Sequence, residues 1–414
     1  MNPDLSPRNS SALAALLAKG VRMALPLSVE IGEDVDVARI SGDDVVLHPG
    51  TRIRGASTVI SPGCELGREA PVTVEDCHLG RGVRLAGGYA ARATFLDGSS
   101  LGLGHHVREG TLLEEQASAA HCVGLKQTIL LPFVTLGSLI NFCDCLMAGG
   151  TSRRDHSEVG SAYIHFNFTP GGDKTTPSLF GDVPRGVLLR EKAIFLGGQG
   201  GAVGPVQVAY GATVGAGSIL RSDVVQENSL TVVGPPPSMT ESDYSGREYR
   251  GLNRLVAKNV HYVANLDALT AWYAAVRTPF FAAQGPFGVW VGQGAVAAIE
   301  SGRRERLSRL RTLAGRMDPA IPAQAQFAGA VEALVDVFGP ADPGAAGLTP
   351  PAALTEAMGR AAGEGTAYLD AVRDLPDAVA QAAVAWLSGI IASRWSAVAE
   401  ILPAVARIGS RFGG

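Results

Sequence analysis
The sequence predicts a mainly β protein, a parallel β-helix of hexapeptide repeats followed by an all-α C-terminal region. Three observations predict it. From about Ser28, apolar residues recur every six or seven positions, at Leu47, Ile53, Val59, Leu66, Val72, Leu79 and Leu85. The same rhythm returns late, at Leu196, Val208, Val214 and Ile219. After "VVGPPPS", Val232 to Ser238, the short glycine-spaced units give way to long runs with helical spacing.

The elements follow in order. Residues 1–26 hold an amphipathic helix capped near Ser10 or Ser11; with Asp4 ahead of it and no basic start, it does not read as a signal peptide. Residues 27–235 carry units such as "VEIGED", "VVLHPG", "TRIRGA" and "CELGRE", and later "AIFLGG", "PVQVAY" and "GATVGA". Neither a helix nor a hairpin repeats in sixes. A short strand plus a turn does, with three units to a coil and the aliphatic side chain stacked inward on its copies. The 52 glycines suit the corners. No coil buries its apolar face alone, so stability comes from stacked neighbours. The rhythm stops at "YIHFNFTPGGDK", Tyr163 to Lys174, where an alternating strand runs into a turn. This reads as a loop protruding over 166–180. Residues 236–414 read as helices, with a linker near 339–352. The uncharged run Ala378 to Ser393 is short for a bilayer and carries Gln381, so it reads as a buried helix and not a membrane span.

Bulk properties narrow the function. The chain has 414 residues, 46% hydrophobic and 18% charged, enough for two or three globular domains. A net charge of −4 gives no broad basic field, which argues against nucleic acid as a partner. Five cysteines, an odd number in a long chain, argue against a disulfide framework and fit a reducing, cytoplasmic setting.

The stretch from "VEIGEDVDVARISGDDVVLHPGTRIRG" through "AIFLGGQGGAVGPVQVAYGATVGAGSILRSDVVQENSL" resembles a known family domain. This is the left-handed β-helix acetyltransferase domain of the bifunctional glucosamine-1-phosphate acetyltransferase and N-acetylglucosamine-1-phosphate uridylyltransferase. No counterpart of the uridylyltransferase domain is seen. The resemblance implies a left-handed crossover, a homotrimer with sites between subunits, acetyl-CoA or another acyl-CoA as cosubstrate, and a sugar phosphate or nucleotide sugar as acceptor. No metal is predicted, because the cysteines and histidines offer no standard ligand spacing. "VREGTLLEE" places Arg108, and "VGLKQT" places Lys126, beside the sugar phosphate. "HFNFTPGGDK" maps Asn167 to an acetyl-contacting asparagine, Phe168 to a tyrosine and Lys174 to a substrate lysine; Gly198 and Ala216 fall near acetyl-CoA. Arginine would grip a phosphate with two prongs and lysine as a point charge.

The resemblance breaks where chemistry needs it most. Acetyl transfer to an amine needs a base, and the family uses a histidine. Here "LINFCDCLMAGG" places Asp144 or a neighbour at that position, and Met147 and Glu158 replace a tyrosine and an asparagine. An aspartate titrates near 4 unless burial raises it. His121, His156 and His165 are the other candidates, of which His156 and His165 lie nearest the loop. Cys122, Cys143 and Cys145 with His121 lack zinc-ligand spacing and read as small residues lining a narrow core. "SGRRERLSRLR", Ser301 to Arg311, reads as a solvated helix face. The alternatives to an acyltransferase are a trimer that binds a sugar phosphate or nucleotide sugar without turnover, and a scaffold whose helices dock a partner.

Overall fold
The computed structural model describes residues 10–165, 176–234, 251–339 and 349–409, together with 239, 241, 249 and 412. After helix α1 (Ser10–Ala18), 24 short strands wind into one parallel β-solenoid of about eleven turns. Three inward ladders fill the prism. One runs Ile31, Ile53, Val74, Ala90, Val107, Leu125, Phe142, Ile164, Ala202, Leu220. A second passes through Leu47, Leu66, Leu85, Leu101 and on to Val214. The third is Ile60, Leu79, Phe95, Leu113, Leu130, Met147, Phe180, Val208. Like residues stacked at the coil spacing remove apolar surface from water, which stabilises the prism without any long-range loop.

Two positions of the expected rhythm face outward. Ile60 and Leu220 are the ladder members, and their neighbours Val59 and Ile219 lie on the outer surface of the strand. At one corner the chain turns through left-handed backbone, with Gly55, Asp76, Arg92, Gly110, Gln127 and Asp144 all at positive φ. Among the described residues two excursions break the coils. A hairpin pairs Gly150–Ser152 with Asp155–His156, and residues 181–194 include the short helix α2 (Val183–Gly186). The strand Ser178–Phe180 is part of the prism, so the coil resumes inside the span expected to protrude.

The C-terminal helices are α3 (Leu252–Trp272), α4 (Thr278–Ala283), α5 (Gly285–Ala314), α6 (Pro322–Val337), α7 (Ala352–Gly363), α8 (Tyr368–Arg373), α9 (Asp377–Ile401) and α10 (Pro403–Gly409). They do not stand apart from the coils. Helices α3 and α5 lie on one prism face, whose outward row is Val59, His78, Thr94, Leu112, Ile129, Leu146 and Leu179. All but His78 are buried. A single π-turn, Tyr273–Arg277, turns two side chains onto the prism. The Tyr273 hydroxyl donates to Glu114 Oε1 at 2.6 Å, and Arg277 bonds Glu115 and Glu114 while lying on the Tyr368 ring.

The basic run on α5 is not the solvated face expected from its charge. Arg303 is buried against Asp267 and Arg306 is buried against Asp144. Residues 301–311 gain these carboxylate partners from elements far away in sequence. Helix α9 also differs from a fully buried helix. It is long and apolar enough by composition to cross a membrane, yet buries only Ala380, Ala383, Trp386, Leu387, Ile390 and Val398.

Candidate functional site
Arg108 and Lys126 are built by register. Val107 pairs with Leu125 on consecutive coils, and both of these point inward. The next residues, Arg108 and Lys126, therefore stack outward at the left-handed corner. Cys143 is the third member of that column. Lys126 Nζ is 3.0 Å from Glu109 Oε1, and Arg92 reaches the same carboxylate at 3.4 Å. Arg108 is exposed and forms no salt bridge among the described residues. The corner thus presents two stacked cations, one of them held and one unclaimed.

The segment with Asn167, Phe168 and Lys174 lies outside the described residues. Its two ends flank the same corner, because Ile164 stacks on Phe142 and Ser178 stacks on Cys145. The coil register thus brings Arg108, Lys126, Ile164 and Ser178 to one corner.

The three candidate bases are differently placed. Asp144 lies one step from Cys143, under α5, with Oδ1 2.8 Å from Arg306 Nη2. Burial raises its pKa, and the guanidinium works against that rise. His165 is half-buried in the coil above. It shares a 2.6 Å hydrogen bond with Ser178 Oγ, and burial, helped by Arg306, lowers its pKa to about 3. It is a neutral, satisfied ring. His156 belongs to the Gly150–His156 hairpin at another corner, beside Ser157 and Gly149. The structure does not bring His156 together with Asp144 and His165. His121 bonds Ser138 Oγ at 2.8 Å, at the corner across the open face.

Gly198 and Ala216 stack at that far corner with Gly160. A Cβ on Gly160 would fall 2.5 Å from the Gly198 nitrogen, and Gly217 N donates to Gly198 O. Successive coils thus approach closely there, backbone on backbone. Met147 is an inward ladder residue under the covered face, and Glu158 is exposed on a third face. Among the described residues no three His, Cys, Asp or Glu side chains gather as a metal-binding group. Of the three cysteines expected to line the core only Cys145 is buried; Cys143 is half-buried in the outward column and Cys122 is exposed, while Cys64 and Cys77 are buried as well.

Sequence reasoning missed the helical contribution to the site. Arg306, 162 positions from Asp144, shields that carboxylate, and Ser301 approaches Gln127 at the corner below. The one local signal was the density of arginine between 303 and 311, which does not name its partners.

No family model matches the chain. It is 29% identical over 209 residues to the Bifunctional protein GlmU of Thermotoga petrophila, covering 50% of this chain and 41% of that protein. The same figures hold for the Bifunctional protein GlmU of Thermotoga sp. strain RQ2. That of Thermotoga maritima is 29% identical over 128 residues, 31% of this chain and 25% of that protein. The chain therefore spans at most about two fifths of the relatives it matches. Similarity over half the chain and the parallel solenoid together fit a GlmU-like β-helix domain.

Proposed function
We propose that this chain binds a phosphorylated sugar at the Arg108–Lys126 corner, on a β-helix of the acyltransferase kind. The observation that carries the reading is the exposed Arg108, without a salt bridge among the described residues, stacked in register on Lys126. A phosphate there would take two charge-assisted contacts, of which the Lys126 one competes with Glu109. Asn167, Phe168 and Lys174, on the segment whose ends flank this corner, would complete the site. Acyl-CoA along the Gly198–Ala216 corner and a homotrimer are further parts of the proposal.

Binding is placed ahead of turnover because of the bases. Acyl transfer to an amine needs a group that accepts a proton in reach of it. Asp144 is occupied by Arg306, and His165 is held by Ser178 with its pKa lowered to about 3. The second reading is acyl-CoA-dependent N-acetylation of an amino sugar phosphate or nucleotide sugar. The similarity over 209 residues favours it.

Calorimetric titration with glucosamine-1-phosphate tests the site. Arg108→Ala and Lys126→Ala should each weaken binding about 10- to 100-fold, the worth of one hydrogen bond to a charged group. Unchanged affinity in both variants would remove the proposal. Adding acetyl-CoA and weighing the product by mass spectrometry separates the two readings. A product heavier by one acetyl group means turnover.

A further inference from the structure
One outward row on the open face, next to the cationic corner, is incomplete. In register along the prism axis it reads Tyr89, His106, Gly124, Asn141, Tyr163. Tyr89 and His106 stack, with ring centres 5.3 Å apart and planes 28° from parallel. The Tyr89 hydroxyl is fixed by a 3.1 Å bond to Glu75 Oε2. His106 is exposed, and Tyr163 is 60% exposed. The rung between His106 and Asn141 has no side chain.

Nothing in the backbone asks for glycine there. Gly124 is not among the positive-φ residues, unlike the corner glycines. Glycine inside a strand weakens it, and often marks a place where another group comes close. A Cβ on Gly124 would meet only Asn141 Oδ1, at 3.3 Å, and Ile140 O, at 3.9 Å. The Asn141 amide leans toward the gap, with the Cys143 thiol as a weak partner at 3.4 Å. His106 and Asn141 are two coils apart, about 9.6 Å at the usual strand spacing. A missing middle rung leaves about the space of one flat ring. Two residues further along the same strands, on the same side, stand Arg108 and Lys126.

We infer that the Gly124 notch is a ring-binding subsite. The ring of a phosphorylated ligand lies on His106 as the next member of the Tyr89–His106 stack. Its polar edge meets the Asn141 amide, which can donate and accept. Its phosphate reaches Arg108 and Lys126. Both a pyranose and a nucleobase have a face that stacks on an aromatic ring, and either fits this chemistry. The inference rests on the anion site proposed above.

The test is calorimetry on the full chain with three probes: inorganic pyrophosphate, glucosamine-1-phosphate and uridine monophosphate. Gly124→Val fills the notch with a residue that suits a strand, and its Cβ meets only Asn141 Oδ1 and Ile140 O within 4 Å. It should weaken the ring-bearing probe at least tenfold and leave pyrophosphate unchanged. Loss with glucosamine-1-phosphate alone assigns a sugar, and loss with uridine monophosphate alone assigns a base. His106→Ala, an exposed change, should act in the same direction and stands in if Gly124→Val melts early. Ring probes that bind both variants as they bind the wild type overturn the subsite but not the anion site. So does a wild type that binds pyrophosphate and neither ring probe. If pyrophosphate does not bind, or binds Arg108→Ala unchanged, the anion reading fails and this one with it.

Discussion

Two faces of the same prism each turn an apolar ladder inward and differ in every outward residue. On the covered face the outward row is Val59, His78, Thr94, Leu112, Ile129, Leu146 and Leu179. On the open face it is Tyr89, His106, Gly124, Asn141 and Tyr163. The inward side chains make the fold, and the outward ones decide what each face meets. The covered face meets the chain's own helices, with buried ion pairs at its edges. The open face keeps polar and aromatic groups in water, beside two cations.

The largest effect should come from breaking the covered face. Leu112→Asp would bury a charge with no partner, costing at least about 4 kcal/mol. Tyr163→Asp, the matching change on the open face, should stay within about 0.5 kcal/mol. Urea denaturation of both variants checks the pair, and equal losses would mean that the helices do not seal the first face.

Next comes the edge of that face. Arg277→Ala leaves Glu114 and Glu115 without their guanidinium, both in surroundings where side chains are 2% and 11% exposed. Removing one partner of a buried pair costs about 3 kcal/mol or more. Burial already pushes the Glu114 carboxyl up to about 7. The variant should therefore regain part of its loss as pH falls and that carboxyl takes a proton, which melting curves at two pH values would show.

The smallest effect distinguishes a held, neutral ring from a base. The folded-state pKa of His165, about 3, lies below its ordinary value of 6.5. In that window the unfolded chain holds the extra proton, so the wild type loses stability as pH falls below 6.5. His165→Gln removes this term. It should cost about 1 kcal/mol at pH 7.5, through the Ser178 bond. At pH 5 the term is worth about 2 kcal/mol, so the variant should equal or exceed the wild type. A cost that is the same at both pH values would mean that this histidine is open to solvent.

The prism was legible because its rule is local. Leu47, Ile53, Leu66, Leu79 and Leu85 announce the ladders from spacing alone, and each is buried. Val59 and Ile219 were ambiguous because each strand there holds two apolar residues and only the register says which turns inward. At Val59 that ambiguity was itself a signal. Leu112–Leu113, Ile129–Leu130, Leu146–Met147 and Leu179–Phe180 are apolar on both sides of the strand, which only a covered face requires. The stacking of Arg108 on Lys126 follows from the coil register. The Arg306–Asp144 pair does not, because 162 positions separate its members and no periodicity links them.

Helix α5 touches strands of five successive coils, at 59–60, 78–79, 93–95, 111–113 and 123–130. Helix α3 continues beyond it, with Asn265 on Val183 and Lys258 on Gln207 and Asp223. A bare stack of coils is a row of beads, each knowing only its neighbours, and it can fray from either end. Here two rods are lashed along the row. A coil cannot loosen without pulling on a helix that grips the next four, so what the repeats would do one at a time, this chain does together.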